Sequence, residues 1–305
     1  MTHCRATNGV DDMSVMLPGM KGYKQPIKVV SLFDGMSCGQ IALNRIGVNV
    51  GEYYASEIDK PAITVTKDNY PDTIHVGDVS KAGLHNLPYR PTLMMGGSPC
   101  QGFSRVGGQL AFDDPRSVLF FEYVRLLKLL DPDYFLLENV RMARKHQDVI
   151  SEYLGCEPVE INSSILSGAS RPRLYWTDIP FSPIEPIDVD MKSLIDWNDM
   201  SHNSANWHKW WASKKGYRLD KKYSAILNDV DKAICLIANH RKNWDGNLVR
   251  NPLGLLRFIT PVEGERLMTV PDNYTAAVSN AQRYKMLGNG WTVDVIAHIL
   301  RGMNL

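Results

Sequence analysis

"KVVSLFDGMSCGQIALNRIGV", residues 28–48, changes its hydrophobic rhythm once, at a glycine turn. "KVVSLFD" is a short apolar, β-branched run of the kind that forms a strand. After the turn, Ile41, Leu43, Ile46 and Val48 follow helical spacing. The unit then recurs. "GEYYASEI" (51–58) reads as a second strand. "PAITVTKDNY" (61–70) opens a helix on Pro61, a residue suited to a first helical turn. "DTIHVGDV" (72–79) and "PTLMMGG" (91–97) read as strands three and four. "RSVLFFEYVRLLKLL" (116–130) is apolar on most sides and reads as a buried helix. "DYFLLENV" (133–140) is a fifth strand, followed by helix, strand and strand at 148–155, 157–166 and 173–179. This alternation predicts an α/β fold, a doubly wound, Rossmann-like, mainly parallel sheet with helices on both faces.

The rhythm breaks at "IPFSPIEPIDVD" (179–190), where Pro180, Pro183 and Pro186 mark a linker. It resumes in "PVEGERLMTV" (261–270) and "AQRYKMLGNGWTVDVIAHIL" (281–300). In the last segment Val293, Val295, Ile296, Ile299 and Leu300 are spaced to dock back on the sheet. The expected domains are a flexible N-terminal arm at 1–27, a catalytic domain built from 28–182 and 256–305, and a small insert at 183–255. The net charge of +1 hides an asymmetry. Residues 201–250 hold ten Lys/Arg against four Asp/Glu, a net of +6, so the remainder sums to −5. A polyanionic partner should touch that basic segment. Five of the seven tryptophans, Trp197, Trp207, Trp210, Trp211 and Trp244, also sit in the insert, where they are expected to build its own small core.

The five cysteines are widely spaced and odd in number, which argues for a reducing compartment and against a cysteine-type zinc site. No apolar run approaches a membrane span and no signal pattern precedes the first strand. The expected setting is the cytoplasm of a bacterial or phage-infected cell, or a nucleus, with no membrane and no metal.

Function is concentrated at strand ends. "LFDGMSCG" (32–39) departs from the glycine pattern of dinucleotide folds at Met36 and Ser37, so a nucleoside without a pyrophosphate fits it better. Glu57, closing strand two, is placed to accept hydrogen bonds from ribose hydroxyls. Asp78, closing strand three, is placed to reach an adenine amino group. Either acid also fits a helix cap. Three such turns at successive strand ends indicate an adenosine-containing cofactor. "GGSPCQGFS" (96–104) sets Cys100 at the end of strand four, where a nearby helix start lowers a thiol pKa. Glu138 closes strand five in "ENV", a costly place for an unpaired carboxylate. Arg171 and Arg173, two apart in "SRPRLYW", fall on one face of an extended segment.

Taken together, "LFDGMSCG", "SEID", "GDV", "GGSPCQGFS", "LLENV", "GASRPRLYW" and "LGNGW" resemble the DNA cytosine-5 methyltransferase family in kind, order and spacing. Within it they look most like the animal de novo methyltransferase branch. The resemblance covers about residues 28–180 and 255–305. It implies a class I S-adenosylmethionine-dependent methyltransferase fold with a small target-recognition insert, S-adenosyl-L-methionine as cofactor and double-stranded DNA as partner. It implies that Cys100 attacks C6 of a flipped cytosine, that Glu138 acts at N3, and that Arg173, with Arg171 nearby, holds O2. Phe33, Asp34, Gly35, Met36, Ser37, Gly39, Glu57, Ile58, Asp78, Val79, Pro99, Asn289 and Trp291 would form the cofactor site, and Cys38 no catalytic part of it. Gln101 and Ser104 would meet the nucleic acid. The basic insert would supply phosphate contacts through Lys209, Lys214, Lys215, Arg218, Lys221 and Lys222, and base contacts through Arg241, Lys242 or Asn243. An RNA (tRNA) cytosine-5 methyltransferase, a DNA-binding regulator without activity and transfer of a modified one-carbon group stay open as alternatives. Recognition sequence and oligomeric state are not legible.

Overall fold

The computed structural model describes residues 25–98, 118–200, 224–239, 246–254 and 256–305. The expected N-terminal arm lies outside them up to residue 24. One seven-stranded sheet organises the chain: β1 (Ile27–Leu32), β2 (Val50–Ser56), β3 (Ile74–His75), β4 (Leu93–Gly96), β5 (Tyr134–Val140), β6 (Val159–Asn162) and β7 (Pro172–Thr177). Its order is β3-β2-β1-β4-β5-β7-β6. Pairing is parallel from β3 to β5, and β7 runs antiparallel to both β5 and β6. The winding reverses between β1 and β4, which opens a crevice at the carboxyl ends of those strands.

The helices between strands are α1 (Cys38–Arg45), α2 (Lys60–Asn69), α3 (Val118–Leu130) and α4 (Arg144–Leu154). Side chains alternate across the sheet, and each face is covered. Val29, Met95, Leu136 and Tyr175 pack with Ile41 and Leu43 of α1 and Val65 of α2. Val30, Met94, Leu137 and Trp176 pack on the other face with Phe120 and Tyr123 of α3 and Ile150 of α4. α1 stops earlier than the apolar spacing predicts: Ile46 is its C-cap and Gly47 turns left-handed (φ 72°), so Val48 already belongs to the approach to β2. The third strand is also shorter than expected, two residues long. Gly77, at φ 76°, turns the chain away from the edge, and Asp78 caps a 3-10 turn over Val79–Lys81.

After the proline-rich linker and α5 (Met191–Leu194), the insert forms a three-stranded sheet, β8 (Ser224–Ile226), β9 (Gly246–Arg250) and β10 (Leu256–Phe258), in order β10-β9-β8. This sheet runs three residues beyond position 255. Leu248 and Leu256 make a small cluster of their own. Ala225, Leu227, Ala233, Leu236 and Val249 instead join the main core, and Trp197 packs against it too. For Trp197, then, the expectation of a separate insert core is corrected: the linker folds back close enough to share the larger core. Trp207, Trp210, Trp211 and Trp244 lie outside the described residues. The chain closes with α6 (Pro261–Leu267), α7 (Asn280–Asn289) and α8 (Val293–Leu300). As the spacing predicts, Val293, Val295, Ile296, Ile299 and Leu300 are fully buried. Among the described residues no helix is long and apolar enough to cross a membrane.

A buried ion pair joins the insert sheet to α6. Arg257 of β10 reaches both oxygens of Glu263 in α6, Nη1 to Oε2 at 2.8 Å and Nη2 to Oε1 at 2.7 Å. Oε1 also accepts the Asp196 amide, and Oε2 accepts the Thr260 amide within a capping box. The two side chains are 0% and 2% exposed. Removing one partner leaves a charge stranded in the core. Glu263→Ala is therefore expected to cost ~3–5 kcal/mol in urea unfolding, and a loss under ~1 kcal/mol would show that the pair is solvated.

Candidate active site

β1 runs directly into a tight turn in which Phe33, Gly35 and Ser37 all adopt left-handed backbone, at φ 56°, 58° and 59°. That conformation is unfavourable for Phe and Ser, so the surroundings must hold it. They do. The Asp34 amide donates to the Ser56 carbonyl, and the Gly35 amide to Glu57 Oε2 at 2.8 Å. Tyr53 Oη donates to Asp34 Oδ1 at 2.7 Å, and Ser37 Oγ donates to Asp34 Oδ2. Tyr274 Oη donates to the Met36 carbonyl at 2.7 Å. Glu57 is fixed in turn, its Oε1 accepting the amides of Ile58 and Asp59.

This turn forms one wall of a cavity of about 550 Å³ at the reversal of the sheet. Of the residues expected at a cofactor, Phe33, Asp34, Gly35, Met36, Glu57, Ile58, Asn289 and Trp291 line it. Four others sit differently. Ser37 turns inward to Asp34 and Thr66. Gly39 lies on the core side of α1, where a Cβ would come 2.3 Å from Met95 Cε, so it serves helix-on-strand packing. Asp78 spends its carboxylate on the amide and hydroxyl of Ser80, the helix-cap alternative. The Val79 side chain is buried in the core under α3. Pro99 lies outside the described residues. Sequence reasoning missed Asp59, Ala62, Gly97, Ser98, Lys285, Met286 and Gly290 on the same wall. Lys285 had a usable signal: it stands one helical turn before Asn289 and so shares its face. Its Nζ pairs with Asp59 at 2.8 Å, linking α7 to the start of α2. Cys38 also faces the cavity, but burial pushes its thiol up to about 12, which leaves it protonated and inert.

Next to the cavity, Glu138 closes β5 with its side chain buried. Arg173 Nε pairs with its Oε1 at 2.9 Å, and Trp291 Nε1–H donates to its Oε2 at 3.1 Å. The antiparallel register of β5 and β7 matches Glu138 with Tyr175 and Val140 with Arg173, so the two charged groups stand two residues apart on one face. The adjoining Asn139 is buried and donates through Nδ2 to Ser98 Oγ at 3.1 Å, tethering the end of the β4 loop two residues before Cys100. Arg171 is also buried, but it points elsewhere. Its guanidinium donates to the carbonyls of Leu236, Gly288 and Gly290, and Nη1 lies 3.4 Å from Cys235 Sγ. Burial and the neighbouring Arg173 charge lower its pKa. The two arginines expected together as catalytic groups therefore divide: Arg173 meets Glu138, whereas Arg171 clamps three backbone carbonyls. Cys100, Gln101, Ser104, Lys209, Lys214, Lys215, Arg218, Lys221, Lys222, Arg241, Lys242 and Asn243 lie outside the described residues.

A model of the C-5 cytosine-specific DNA methylase family matches residues 27–154 and 184–304. The chain belongs to this family. The stretch between the matched segments carries β6, β7 and both arginines. Among curated relatives, the type II methyltransferase M1.ScrFI of Lactococcus lactis subsp. cremoris is 28% identical over 90% of this chain and 77% of its own. The type II methyltransferase M.NlaX of Neisseria lactamica is 28% identical over 90% of this chain and 96% of its own. Among solved structures, the Entamoeba histolytica methyltransferase EhMeth shares the fold at 18% identity and a TM-score of 0.73, covering 92% of this chain and 98% of that one.

The chain is thus a DNA cytosine-5 methyltransferase that uses S-adenosyl-L-methionine. The cavity fits that cofactor. Its size is that of a small-molecule site. Phe33, Met36 and Trp291 offer apolar wall. Asp34 and Glu57 place acidic groups on the wall, and the Lys285 charge is matched by Asp59. Such walls suit an adenosyl sulfonium and would repel a pyrophosphate.

Burial raises Asp34 to about 6, partly offset by the hydroxyls it accepts from Ser37 and Tyr53 and reinforced by the Glu57 charge. A carboxyl with a higher pKa folded than unfolded keeps its proton in the folded chain alone between about pH 4 and 6, so stability falls as pH rises through that window. Asp34→Asn should remove this slope. In urea unfolding the variant is expected to gain up to ~3 kcal/mol on wild type between about pH 4 and pH 7; a constant difference would show that Asp34 is ionised throughout.

Proposed function

We propose that this enzyme flips a target cytosine out of duplex DNA and methylates it at C5 through a transient covalent adduct on Cys100. The observation that supports this reading most is the Glu138 carboxylate, buried at the cavity edge between Arg173 and Trp291, with its neighbour Asn139 holding Ser98. Cys100 follows Ser98 by two residues, a reach of at most ~7 Å.

C5 of cytosine is a poor nucleophile, and addition at C6 makes it a better one. The Cys100 thiolate forms a bond to C6 while Glu138 meets the charge that builds at N3, by hydrogen bond or proton. Arg173 holds Glu138 in orientation and meets the base at O2. The cofactor supplies an electrophilic methyl group. Once C5 carries it, loss of the C5 proton and expulsion of the Cys100 thiolate restore the base's aromaticity and the free enzyme. Arg171 acts at one remove, as a positioning residue. The target atoms lie inside the duplex stack, so the base must leave it. In this reading the insert, from 183 to about 258, recognises the target, and its lysines at 209–222 contact phosphates. The named type II relatives support a modification role.

Bisulfite sequencing of plasmid DNA from cells expressing the protein should reveal 5-methylcytosine at one short site; methylated tRNA with unmethylated duplex DNA would overturn the reading. Cys100→Ser should abolish turnover and keep cofactor binding, and Glu138→Gln should slow methyl transfer about 10²-fold or more. Near-normal rates in either variant would remove that residue from its role. Neutralising Lys221 and Lys222 should lower the salt slope of DNA binding by roughly two; an unchanged slope would move the DNA elsewhere.

A further inference from the structure

We propose that Trp291 is a positioning residue that ties the base-activating carboxylate to the cofactor cavity, which presumes that Glu138 acts at N3 of the base. One side chain belongs to both sites: the indole lines the cavity, and its Nε1–H donates to Glu138 Oε2 at 3.1 Å. The other carboxylate oxygen takes Arg173 Nε at 2.9 Å. The two donors come from different parts of the fold, β7 and the turn before α8. Arg173 alone would leave the carboxylate able to rotate about that contact; with the indole added, both oxygens and hence the carboxylate plane are set.

Indole chemistry makes the contact one-directional. Nε1 donates and cannot accept. Trp291 is only 9% exposed, and its bond to Glu138 is buried. Two further features are shaped around it. A Cβ on Gly97 would stand 3.0 Å from Trp291 Nε1 and 3.1 Å from Glu138 Oε2, so the end of β4 passes the pair without contact only as glycine. Arg171 Nη2 binds the carbonyls of Gly288 and Gly290, at 3.0 and 2.8 Å, and so fixes the backbone immediately before Trp291. This accounts for a buried arginine that touches no reacting group: it orients the indole, and the indole orients the carboxylate.

Trp291→Phe keeps an aromatic wall and deletes the donor. Calorimetry with S-adenosylmethionine on the full chain should give an affinity within about threefold of wild type, which also certifies folding. The turnover number should fall about tenfold, the worth of one hydrogen bond to a charged group. The KM for DNA should stay within about threefold of wild type, so that the loss falls on kcat alone. Gly97→Ala crowds the same bond with the indole in place and should give the same pattern. A purely structural tryptophan would weaken cofactor binding and raise the KM for DNA. That result, or an unchanged kcat in both variants, would overturn the coupling. Glu138→Gln separates the two readings: near-normal rates there would overturn the role of Glu138 itself, whereas a slow Glu138→Gln with wild-type behaviour in Trp291→Phe would overturn only the role of the indole.

Discussion

A carboxylate buried at the end of a central strand must find donors, and Glu138 finds them on two different elements. That requirement organises the site. β7 must run antiparallel beside β5 to bring Arg173 onto the face of Glu138, and the turn before α8 must return across the end of β4 to deliver Trp291. The C-terminal helices, far away in sequence, therefore help to build the surroundings of Glu138. Their docking is secured by the fully buried face of α8 and by the Arg171 clamp on Gly288 and Gly290.

The cofactor wall obeys a related constraint. Three left-handed residues in five would be unfavourable in isolation, and the turn persists because Glu57, Tyr53 and Tyr274 bind it from other elements. The same contacts place three carboxyls around one cavity. Asp34 among them is pushed up to about 6, because burial penalises its charged form and the Glu57 charge lies near. Lys285 and Asp59 balance each other at the wall and leave that charge pattern intact.

Several residues show where sequence reasoning stops. Glu57 and Asp78 read identically, each an acid after a strand, yet Glu57 faces the cavity and Asp78 caps a turn. The difference arises because β3 ends after two residues at the sheet edge, and strand length at an edge depends on pairing. Arg171 and Arg173 also read as a pair. Arg173 lies in β7 and meets Glu138, but Arg171 precedes β7 and meets carbonyls of a segment more than a hundred residues later, which no local pattern encodes. Lys285 shares a helix face with Asn289, but its pairing with Asp59 across 226 residues comes from the fold.

Local sequence by itself determined the strand–helix alternation, the glycine turn after β1, the apolar face of α8 and the motifs that mark a cytosine-5 methyltransferase. All of these depend on periodicity and on residues a few positions apart. Tertiary structure alone decided which of the candidate side chains converge. The Glu138–Trp291 bond spans 153 residues and the Arg171–Gly290 bond 119. Such contacts are fixed by sheet order and by the docking of helices, and so by the burial of the whole core rather than by any segment of it.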